Sequence, residues 1–438
     1  MARSESSVIL ITADAVCDAN LSVTGDRNSQ VGLLLERAGQ ALRVLEVGML
    51  DQLKFHPAFA SATRIDRPGC VILPGLVNAH THLDLTHIGP KPHDPAEGFV
   101  SWVDMIRAER LLDEAGIADS VRLGCQLLRK GGVSIVGDIA GAAGGQPTLV
   151  PFETLAASDL AGVSFLEFFA IGTRMQESID RLAALVETVE PGFGSRVQLG
   201  LQPHAPNTVA LEAYLAAGKL AEKHGLPMVT HLAESIEERE FVAKGTGPQL
   251  ELIQRLGIWN EHAASQVGKG RSPVEHLAAI LAGFNLGVVH VNQCSDDDLN
   301  LLALTKTRVV YCPRASKYFG AQEHFGPHRY QEMQDRGLVV ALGTDSIINL
   351  PESEISENGS GLSPLAEARH LYHRDRADPG LLLRMMTTNG AEFLGVSESL
   401  VSLGKGAKPA GIIAVAAEPG DEPVARLLQS DAAPEFLA

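Results

Sequence analysis

Four histidines and one aspartate carry the strongest chemical signal in this sequence of 438 residues. His80 and His82 stand one residue apart in LPGLVNAHTHLD, directly after an apolar segment. Because side chains alternate between the two faces of a strand, both imidazoles point the same way. Their four ring nitrogens need partners, and a shared metal ion is the simplest one. A pair of hydrogen-bonded core histidines is the alternative, so this fragment alone leaves both interpretations open.

Further metal ligands stand at the ends of other apolar segments. His231 ends PMVTH, His290 lies in VVHV, and Asp345 ends VALGTD. If these segments are parallel strands of one barrel, their carboxyl ends meet at the same mouth. A set of imidazoles and one carboxylate suits a single divalent metal, with Zn²⁺ expected first and Fe²⁺ or Mn²⁺ as alternatives.

The elements that must position these residues follow a repeated pattern. After Pro74, apolar strand-like runs alternate with longer amphipathic segments rich in Ala, Leu and Glu. This alternation predicts the α/β class and a (β/α)8 TIM-type barrel, whose active site lies at the C-terminal ends of its strands. The eight predicted strands cover 71–82, 133–140, 163–171, 197–204, 226–233, 286–292, 308–312 and 338–345.

The two ends of the chain have a different sequence pattern, in which short apolar runs are separated by turns. They predict a small composite β-sandwich built from both termini, with residues 1–70 and 405–438 flanking a barrel at 71–404. The segment 350–363, LPESEISENGSGLS, reads as a loop after the last barrel strand. Whether it is a lid over the site or a plain solvated loop stays open.

Composition excludes several functions. The net charge of -17 argues against binding to nucleic acid or to an acidic membrane surface. The five scattered cysteines form no CxxC pair, which disfavours a disulfide framework and fits a reducing compartment. No secretory signal and no run of about 18 apolar residues is present. These features predict a cytoplasmic protein with a small-molecule partner, and they leave a homodimer open.

With these motifs in place, the sequence resembles the metal-dependent amidohydrolase superfamily, through PGLVNAHTHLD, THLAES, VVHVN and ALGTDS. The resemblance implies one metal bound by four residues, namely His80, His82, His231 and Asp345. It also implies that His290 contacts the metal-bound water or the reacting centre, and that Asp345 relays a proton from that water. Some members bind a second metal through a lysine on strand four, and RVQLGLQPHAP has no lysine there.

Two residues resemble the aminohydrolase branch, which deaminates purines, pterins, triazines and related nucleosides. Glu234 follows His231 by three residues, and His204 lies in QPHAPNTV at the end of strand four. In that branch the carboxylate protonates a ring nitrogen while a metal-bound hydroxide attacks the amino-bearing carbon. A positioned acid is needed there because the attack places charge on the adjacent nitrogen. A helix-start carboxylate and a structural histidine are the alternatives.

Less specific candidates for substrate contact lie in the predicted loops at the mouth of the barrel. Trp102 in FVSWVDMIRAER could stack on a heterocycle, although core packing is the alternative. Arg314 and Ser316 in YCPRASKYFG could hold a ribose or a carboxylate, or cap an ordinary loop. Glu167, an acid within the apolar run FLEFF, is expected to pair with a base inside the barrel.

The region from YCPRASKYFG onward is similar to aminodeoxyfutalosine deaminases of menaquinone synthesis and to S-adenosylhomocysteine deaminases. The leading hypothesis is therefore a hydrolytic deaminase of an adenine-type nucleoside. The alternative is an amidohydrolase or chlorohydrolase acting on a cyclic amide, guanine or a triazine. A non-catalytic scaffold is a remote third hypothesis, because inward polar groups are costly unless a metal satisfies them.

Overall fold

The computed structural model describes residues 6–25, 30–190, 196–356, 359–418, 420 and 422–438. The β-strands in these ranges, numbered in chain order, are β1 Ser7–Cys17, β2 Ser22–Thr24, β3 Val31–Ala38, β4 Ala41–Met49, β5 Thr63–Pro74, β6 Leu76–Thr81, β7 Val133–Ala140, β8 Ala161–Phe168, β9 Val197–Pro203, β10 Met228–Leu232, β11 Leu286–His290, β12 Val309–Tyr311, β13 Val340–Leu342, β14 Ile412–Ala416 and β15 Glu435–Phe436.

The α-helices fill the connections between these strands, as alternating apolar and amphipathic segments require. They are α1 Leu50–Leu53, α2 Phe99–Glu109, α3 Glu114–Lys130, α4 Val150–Ala156, α5 Met175–Thr188, α6 Leu211–His224, α7 Ile236–Lys244, α8 Pro248–Arg255, α9 Glu261–Gln266, α10 Pro273–His276, α11 Ala278–Gly283, α12 Asp296–Thr305, α13 Pro313–Tyr318, α14 Ala321–Phe325, α15 Tyr330–Asp335, α16 Glu352–Ile355, α17 Pro364–Asp375, α18 Pro379–Met385, α19 Thr388–Leu394 and α20 Pro423–Gln429.

Strands β6 to β13 form one eight-stranded sheet in which each strand lies beside the next along the chain. A parallel bridge between Thr81 and Asp345 joins the first strand to the residues that follow the last, so the sheet is a nearly closed barrel. Every residue of β7 is buried, as expected for a parallel strand that packs on both faces. The predicted (β/α)8 barrel is confirmed.

The remaining strands form a second, mixed sheet in the order β15-β14-β5-β1-β3-β4, with β2 paired to β1. Strand β14 runs antiparallel to β5, with Ile412 opposite Pro74 and Ala416 opposite Cys70. Aliphatic side chains from both ends of the chain share the core of this sheet. The predicted composite β domain from both termini is confirmed.

The predicted single strand over 71–82 is two strands. Residues 71–74 end β5 in the mixed sheet, whereas β6 begins the barrel at Leu76. Gly75 separates them, and its N–H donates to the carbonyl of Gly411 over 2.8 Å. A Cβ at Gly75 would lie 1.8 Å from the Ser134 hydroxyl, so only glycine fits this crossing point. A continuous apolar run could not reveal that change of sheet.

The chain forms two compact units, one of Met1–Asn78, Gln126–Ile135 and Ser353–Ala438, the other of Ala79–Cys125 and Val136–Glu352. The boundaries at residues 70 and 405 stay a prediction. The expected loop at 350–363 contains the short helix α16, and its residues 357 and 358 lie outside the described residues. A lid role for it also stays a prediction.

All five cysteines are free thiols. Among the residues with described placement, no helix is long and apolar enough to span a membrane.

Candidate metal centre and active site

The barrel brings together the five residues that the sequence singled out, all within the unit of Ala79–Cys125 and Val136–Glu352. His80 lies in β6 and His82 just beyond its end, with the two rings perpendicular and their centroids 5.0 Å apart. His80 Nε2 lies 3.4 Å from His231 Nε2. Asp345 Oδ1 lies 3.7 Å from His80 Nε2 and 3.5 Å from His82 Nε2. Three Nε2 atoms and one carboxylate oxygen therefore face a common point.

Two overlapping groups of possible ligands describe this convergence. In each group the candidate donor atoms all lie within 4.8 Å of one another, which suits one small cation. The groups are His80 with His231 and His290, and His80 with His82 and Asp345. Donors that converge in this way have the types and spacing that a four-coordinate divalent ion requires.

Burial keeps His82 and His231 neutral, which is the state in which an imidazole binds a metal. Desolvation lowers the pKa of His82 and of His231 well below 6.5, and the neighbouring histidines lower both further. Burial alone would raise the pKa of Asp345, but a hydrogen bond with His80 and electrostatic interactions with the nearby imidazole rings hold it below its usual range. His82 and His231 therefore offer neutral nitrogens beside an ionised Asp345 carboxylate at neutral pH.

The backbone around Asp345 is fixed by β6. The N–H groups of Thr344 and Asp345 each donate to the His80 carbonyl over 3.1 Å, and the Thr81 hydroxyl donates to the Asp345 carbonyl over 2.8 Å. Asp345 has φ of 55°, which a non-glycine residue adopts only when its surroundings hold it there. Gly343 lets the strands approach, since a Cβ there would lie 2.8 Å from His80 Cβ.

His290 ends β11 and also has a left-handed backbone, with φ of 77°. His328 Nε2 bonds the His290 carbonyl over 2.8 Å, and the His328 ring stacks on Tyr311 with centroids 3.7 Å apart. Burial, the largest influence, lowers the pKa of His290 to about 3. The strained His290 backbone is therefore secured by a buried, stacked partner.

Glu234 lies beside His290, with Oε1 3.5 Å from His290 Nε2. Both sides of the Glu234 backbone are held, because its N–H donates to Glu238 over 2.7 Å and its carbonyl accepts from Asn292 Nδ2 over 3.0 Å. Glu238 also accepts the N–H of Ala233 over 2.9 Å. Burial, followed by the charge of Asp345, raises the pKa of Glu234 well above its ordinary value. The surroundings of Glu234 therefore favour its protonated form.

His204 follows β9 at the same mouth, with its ring 5.1 Å from that of His231. Its Nδ1 lies 2.7 Å from the Thr208 hydroxyl, and its pKa is lowered to about 3 by burial. Its donor atom, one of Glu167 and one of His231 lie within 4.8 Å of one another. His204 is therefore close to the candidate metal ligands, and its predicted contact with substrate stays a prediction.

The other predicted substrate contacts lie in the segments that follow the first and seventh barrel strands. Trp102 in α2 is half-buried and packs against Phe99 and Phe319, with ring centroids 5.5 and 5.1 Å away. Arg314 and Ser316 are buried in α13. Substrate contact by these three side chains stays a prediction.

Sequence reasoning missed the residues that support the site. Glu238 and Asn292, described above, hold the Glu234 backbone, and Gln202 contacts His231. One signal could have identified Glu238, since Ser235 followed three residues later by Glu238 is the spacing of a helix start. The Ser235 hydroxyl does accept the Glu238 N–H.

A buried charge cluster stands beside the candidate metal ligands. Arg110 donates to Asp84 Oδ2 from Nε over 3.0 Å and from Nη2 over 2.6 Å, and Arg110 Nη2 lies 3.8 Å from Glu167 Oε2. The expected pairing of Glu167 with a base inside the barrel is confirmed.

A parallel barrel with imidazoles and a carboxylate converging at the carboxyl ends of its strands is the architecture of a metal-dependent hydrolase. Residues 71–436 match the sequence profile of the amidohydrolase family, and the chain belongs to this family. The protein is accordingly a hydrolase acting on carbon–nitrogen bonds other than peptide bonds, with a divalent metal as its cofactor.

Two relatives that match most of the chain are named as deaminases. The chain is 28% identical over 396 residues to an aminodeoxyfutalosine deaminase of Deinococcus radiodurans, a match that covers 86% of this chain and 85% of the relative. It is 25% identical over 400 residues to a 5-methylthioadenosine/S-adenosylhomocysteine deaminase of Symbiobacterium thermophilum, covering 88% and 81%.

Solved structures share the fold. Helicobacter pylori aminofutalosine deaminase in complex with methylthio-coformycin superposes with a TM-score of 0.73 at 19% identity, covering 97% of each chain. The zinc complex of atrazine chlorohydrolase from Arthrobacter aurescens gives 0.68 at 19% identity, covering 97% of this chain and 92% of that one.

Proposed function

We propose that the protein is a hydrolytic deaminase that releases ammonia from an adenine-type nucleoside, with aminodeoxyfutalosine as the first candidate substrate. The observation that carries the proposal is Glu234, a mostly buried carboxyl with a raised pKa that lies 3.5 Å from His290. Hydrolysis of an amidine needs an acid at this place, because attack on the ring carbon puts negative charge on the adjacent nitrogen. The names of the relatives above support the same reaction.

The metal is proposed to be one zinc ion held by His80, His82, His231 and Asp345, with Fe²⁺ or Mn²⁺ as alternatives. Neutral imidazole nitrogens with one carboxylate are a donor set that zinc accepts, although ligand type selects among these metals only loosely. When bound, such an ion lowers the pKa of a water ligand toward about 7 and so provides a nucleophile at neutral pH.

The proposed roles of the side chains follow from their positions. Asp345 accepts the proton that the attacking water loses, since it is an ionised carboxylate whose Oδ1 lies among the proposed ligand atoms. Glu234 gives its proton to the ring nitrogen beside the attacked carbon, and His290 orients the attacking water. The proton held on Asp345 then passes to the amino group, which departs as ammonia, while the added hydroxyl becomes a carbonyl and returns its proton to Glu234.

The substrate contacts are proposed to come from four residues around this centre, namely His204, Trp102, Arg314 and Ser316. His204 would bond the heterocycle, and Trp102 would stack on a ring. Arg314 and Ser316 would hold a ribose hydroxyl or a carboxylate. We also propose a cytoplasmic enzyme, since free thiols suit a reducing compartment. Size-exclusion chromatography would test whether it is a homodimer.

The test is ammonia release by zinc-loaded protein on a panel of adenine nucleosides, aminodeoxyfutalosine, guanine and amino-triazines. The proposal expects turnover of at least one adenine-type nucleoside and loss of that turnover after chelation of the metal. Turnover of guanine or an amino-triazine alone would favour the alternative hydrolase activity. A metal-loaded, folded protein that releases no ammonia from any panel member would refute the deaminase proposal.

A further inference from the structure

The turn that follows β11 has a strained backbone. His290 has φ of 77°, and the next residue, Val291, has φ of 52°. Two successive left-handed residues without glycine are costly, and a β-branched valine in this conformation is a clear outlier. Such a backbone persists only where its surroundings hold it, and strain of this kind is concentrated at functional sites. The contacts that hold this turn therefore have consequences for His290.

His328, which has no role in the reaction described above, bonds the carbonyl of the strained residue itself. The Val291 N–H donates to the Leu232 carbonyl over 2.9 Å, which ties the turn to the end of β10. That bond does not involve the His290 carbonyl, which lies 2.8 Å from His328 Nε2. His328 comes from the segment before α15, so the turn is held from a second, separate part of the chain.

The direction of the bond from His328 is unambiguous. A carbonyl oxygen can only accept, so the proton of this bond is on His328 Nε2. The ring is buried and stacks on Tyr311 with centroids 3.7 Å apart and an interplanar angle of 12°. Tyr311 in turn stacks on Tyr330, with centroids 5.6 Å apart. The imidazole cannot tilt away from the carbonyl without losing its contact with Tyr311, so the donor is held in one direction.

We propose that His328 is a positioning residue of the deaminase reaction and acts through His290. Its N–H stabilises the left-handed backbone and so keeps His290 Nε2 at 3.5 Å from Glu234. Without this donor, the turn is free to relax toward the conformations that a histidine ordinarily adopts, and the imidazole moves with its backbone. The inference rests on the proposed function, because the consequence of that displacement is a slower reaction.

Two substitutions separate the donor from the ring. His328→Phe keeps an aromatic ring on Tyr311 and removes the N–H, whereas His328→Gln removes the ring and keeps an amide N–H with a similar reach. We expect His328→Phe to lower kcat by about 10- to 100-fold, because a displacement of about 1 Å can cost about 100-fold in rate. Its KM and zinc content should change little, because the proposed substrate contacts and metal ligands are other residues. His328→Gln should retain a kcat within a few-fold of the wild type.

The experiment measures steady-state ammonia release from the nucleoside that the wild type turns over best. Independently of activity, it measures the hydrogen exchange of the Val291 amide in the zinc-loaded protein, which should be faster in His328→Phe than in the wild type or in His328→Gln. His324→Phe, a change at an exposed histidine, is the control. Circular dichroism checks folding. If His328→Phe does not fold, His328→Asn replaces it, because its amide is too short to reach the carbonyl.

The outcomes separate this inference from the proposed function. A wild type that releases no ammonia would refute the deaminase proposal, while the exchange of Val291 would still show whether His328 holds the turn. Slower turnover and faster exchange in His328→Phe, both restored in His328→Gln, support the inference. A wild-type kcat or unchanged exchange in His328→Phe would overturn it. Equal losses in His328→Phe and His328→Gln would also overturn it, because the loss would then not follow the donor.

Discussion

Glu234 Oε1 lies 3.5 Å from His290 Nε2, so the proposed proton donor and the proposed water-orienting imidazole lie side by side. The two residues follow neighbouring barrel strands, Glu234 after β10 and His290 at the end of β11. Asn292 strengthens this connection, because its side chain donates to the Glu234 carbonyl over 3.0 Å. The acid and the imidazole are therefore held as a unit by two adjacent strands and by the loops that follow them.

Glu234→Gln should abolish most of the proposed activity while leaving the metal in place. The amide cannot donate a carboxylic proton, and loss of a general acid typically costs about 10²- to 10⁴-fold in rate. We expect kcat for the best nucleoside to fall by about that factor, with an unchanged zinc content by atomic absorption. The exposed Glu251→Gln should behave as the wild type, and comparable activity in both variants would contradict the acid role.

Glu238→Ala should lower kcat more than it changes KM. Glu238 accepts the N–H groups of Ala233 and Glu234, and its absence leaves the catalytic loop free to shift. A displacement of about 1 Å can cost about 100-fold in rate, so we expect a fall in kcat of about 10- to 100-fold. Glu240→Ala on the same helix is the control. Steady-state kinetics in which Glu238→Ala raises only KM would argue against a positioning role.

Arg110→Met should destabilise the protein strongly. The guanidinium is paired with buried Asp84 and lies near buried Glu167, and its removal leaves both carboxylates without their cation. Breaking a buried ion pair typically costs about 3–5 kcal/mol. The free energy of unfolding from urea titration measures this loss.

Arg122→Met is the matched control for that experiment. Arg122 pairs with Asp119 on the exposed face of α3, where an ion pair contributes less than about 1 kcal/mol. Equal losses for Arg110→Met and Arg122→Met would show that the buried cluster contributes no more than a surface pair.

The stability of the protein should fall as the pH drops from 6.5 to 4, in part through His276. Burial, aided by the charges of Arg271 and Lys269, lowers the pKa of His276 from its ordinary value of 6.5 to about 4. Below pH 6.5 His276 binds a proton in the unfolded chain, whereas in the folded chain it stays neutral until the pH falls to about 4. Protonation therefore favours the unfolded chain in this range. The free energy of unfolding is highest above pH 6.5 and falls as the pH drops toward 4. The loss by pH 4 is about 3 kcal/mol.

Urea midpoints measured across this pH range test the contribution of His276. The curve for His276→Gln should be flatter than that of the wild type between pH 6.5 and 4, whereas His262→Gln, a change at an exposed histidine, should follow the wild type. Parallel curves for wild type and His276→Gln would exclude His276 as the source of the pH dependence.

The barrel could be predicted from the amino-acid sequence alone. So could the five residues that could bind a metal and activate its water. Parallel strands covered on both faces read as continuous apolar runs, and polar residues at their ends stand out against that background. His80, His82, His231, His290 and Asp345 were found in this way, and Glu234 was found through its spacing from His231. The family resemblance added the expected roles.

The contacts that hold those residues in place are visible only in the folded chain. The hydrogen bonds from the loop backbone to Glu238, the amide of Gln202 behind His231, and the pairing of Arg110 with Asp84 all join residues whose side-chain directions the sequence pattern does not reveal. The sequence pattern also does not reveal that the 71–82 run divides at Gly75. The end of β5 and the start of β6 are equally apolar, and only the strands with which they pair differ. Strand periodicity specifies which residues are buried, whereas hydrogen-bond partners depend on backbone positions that only the folded chain defines.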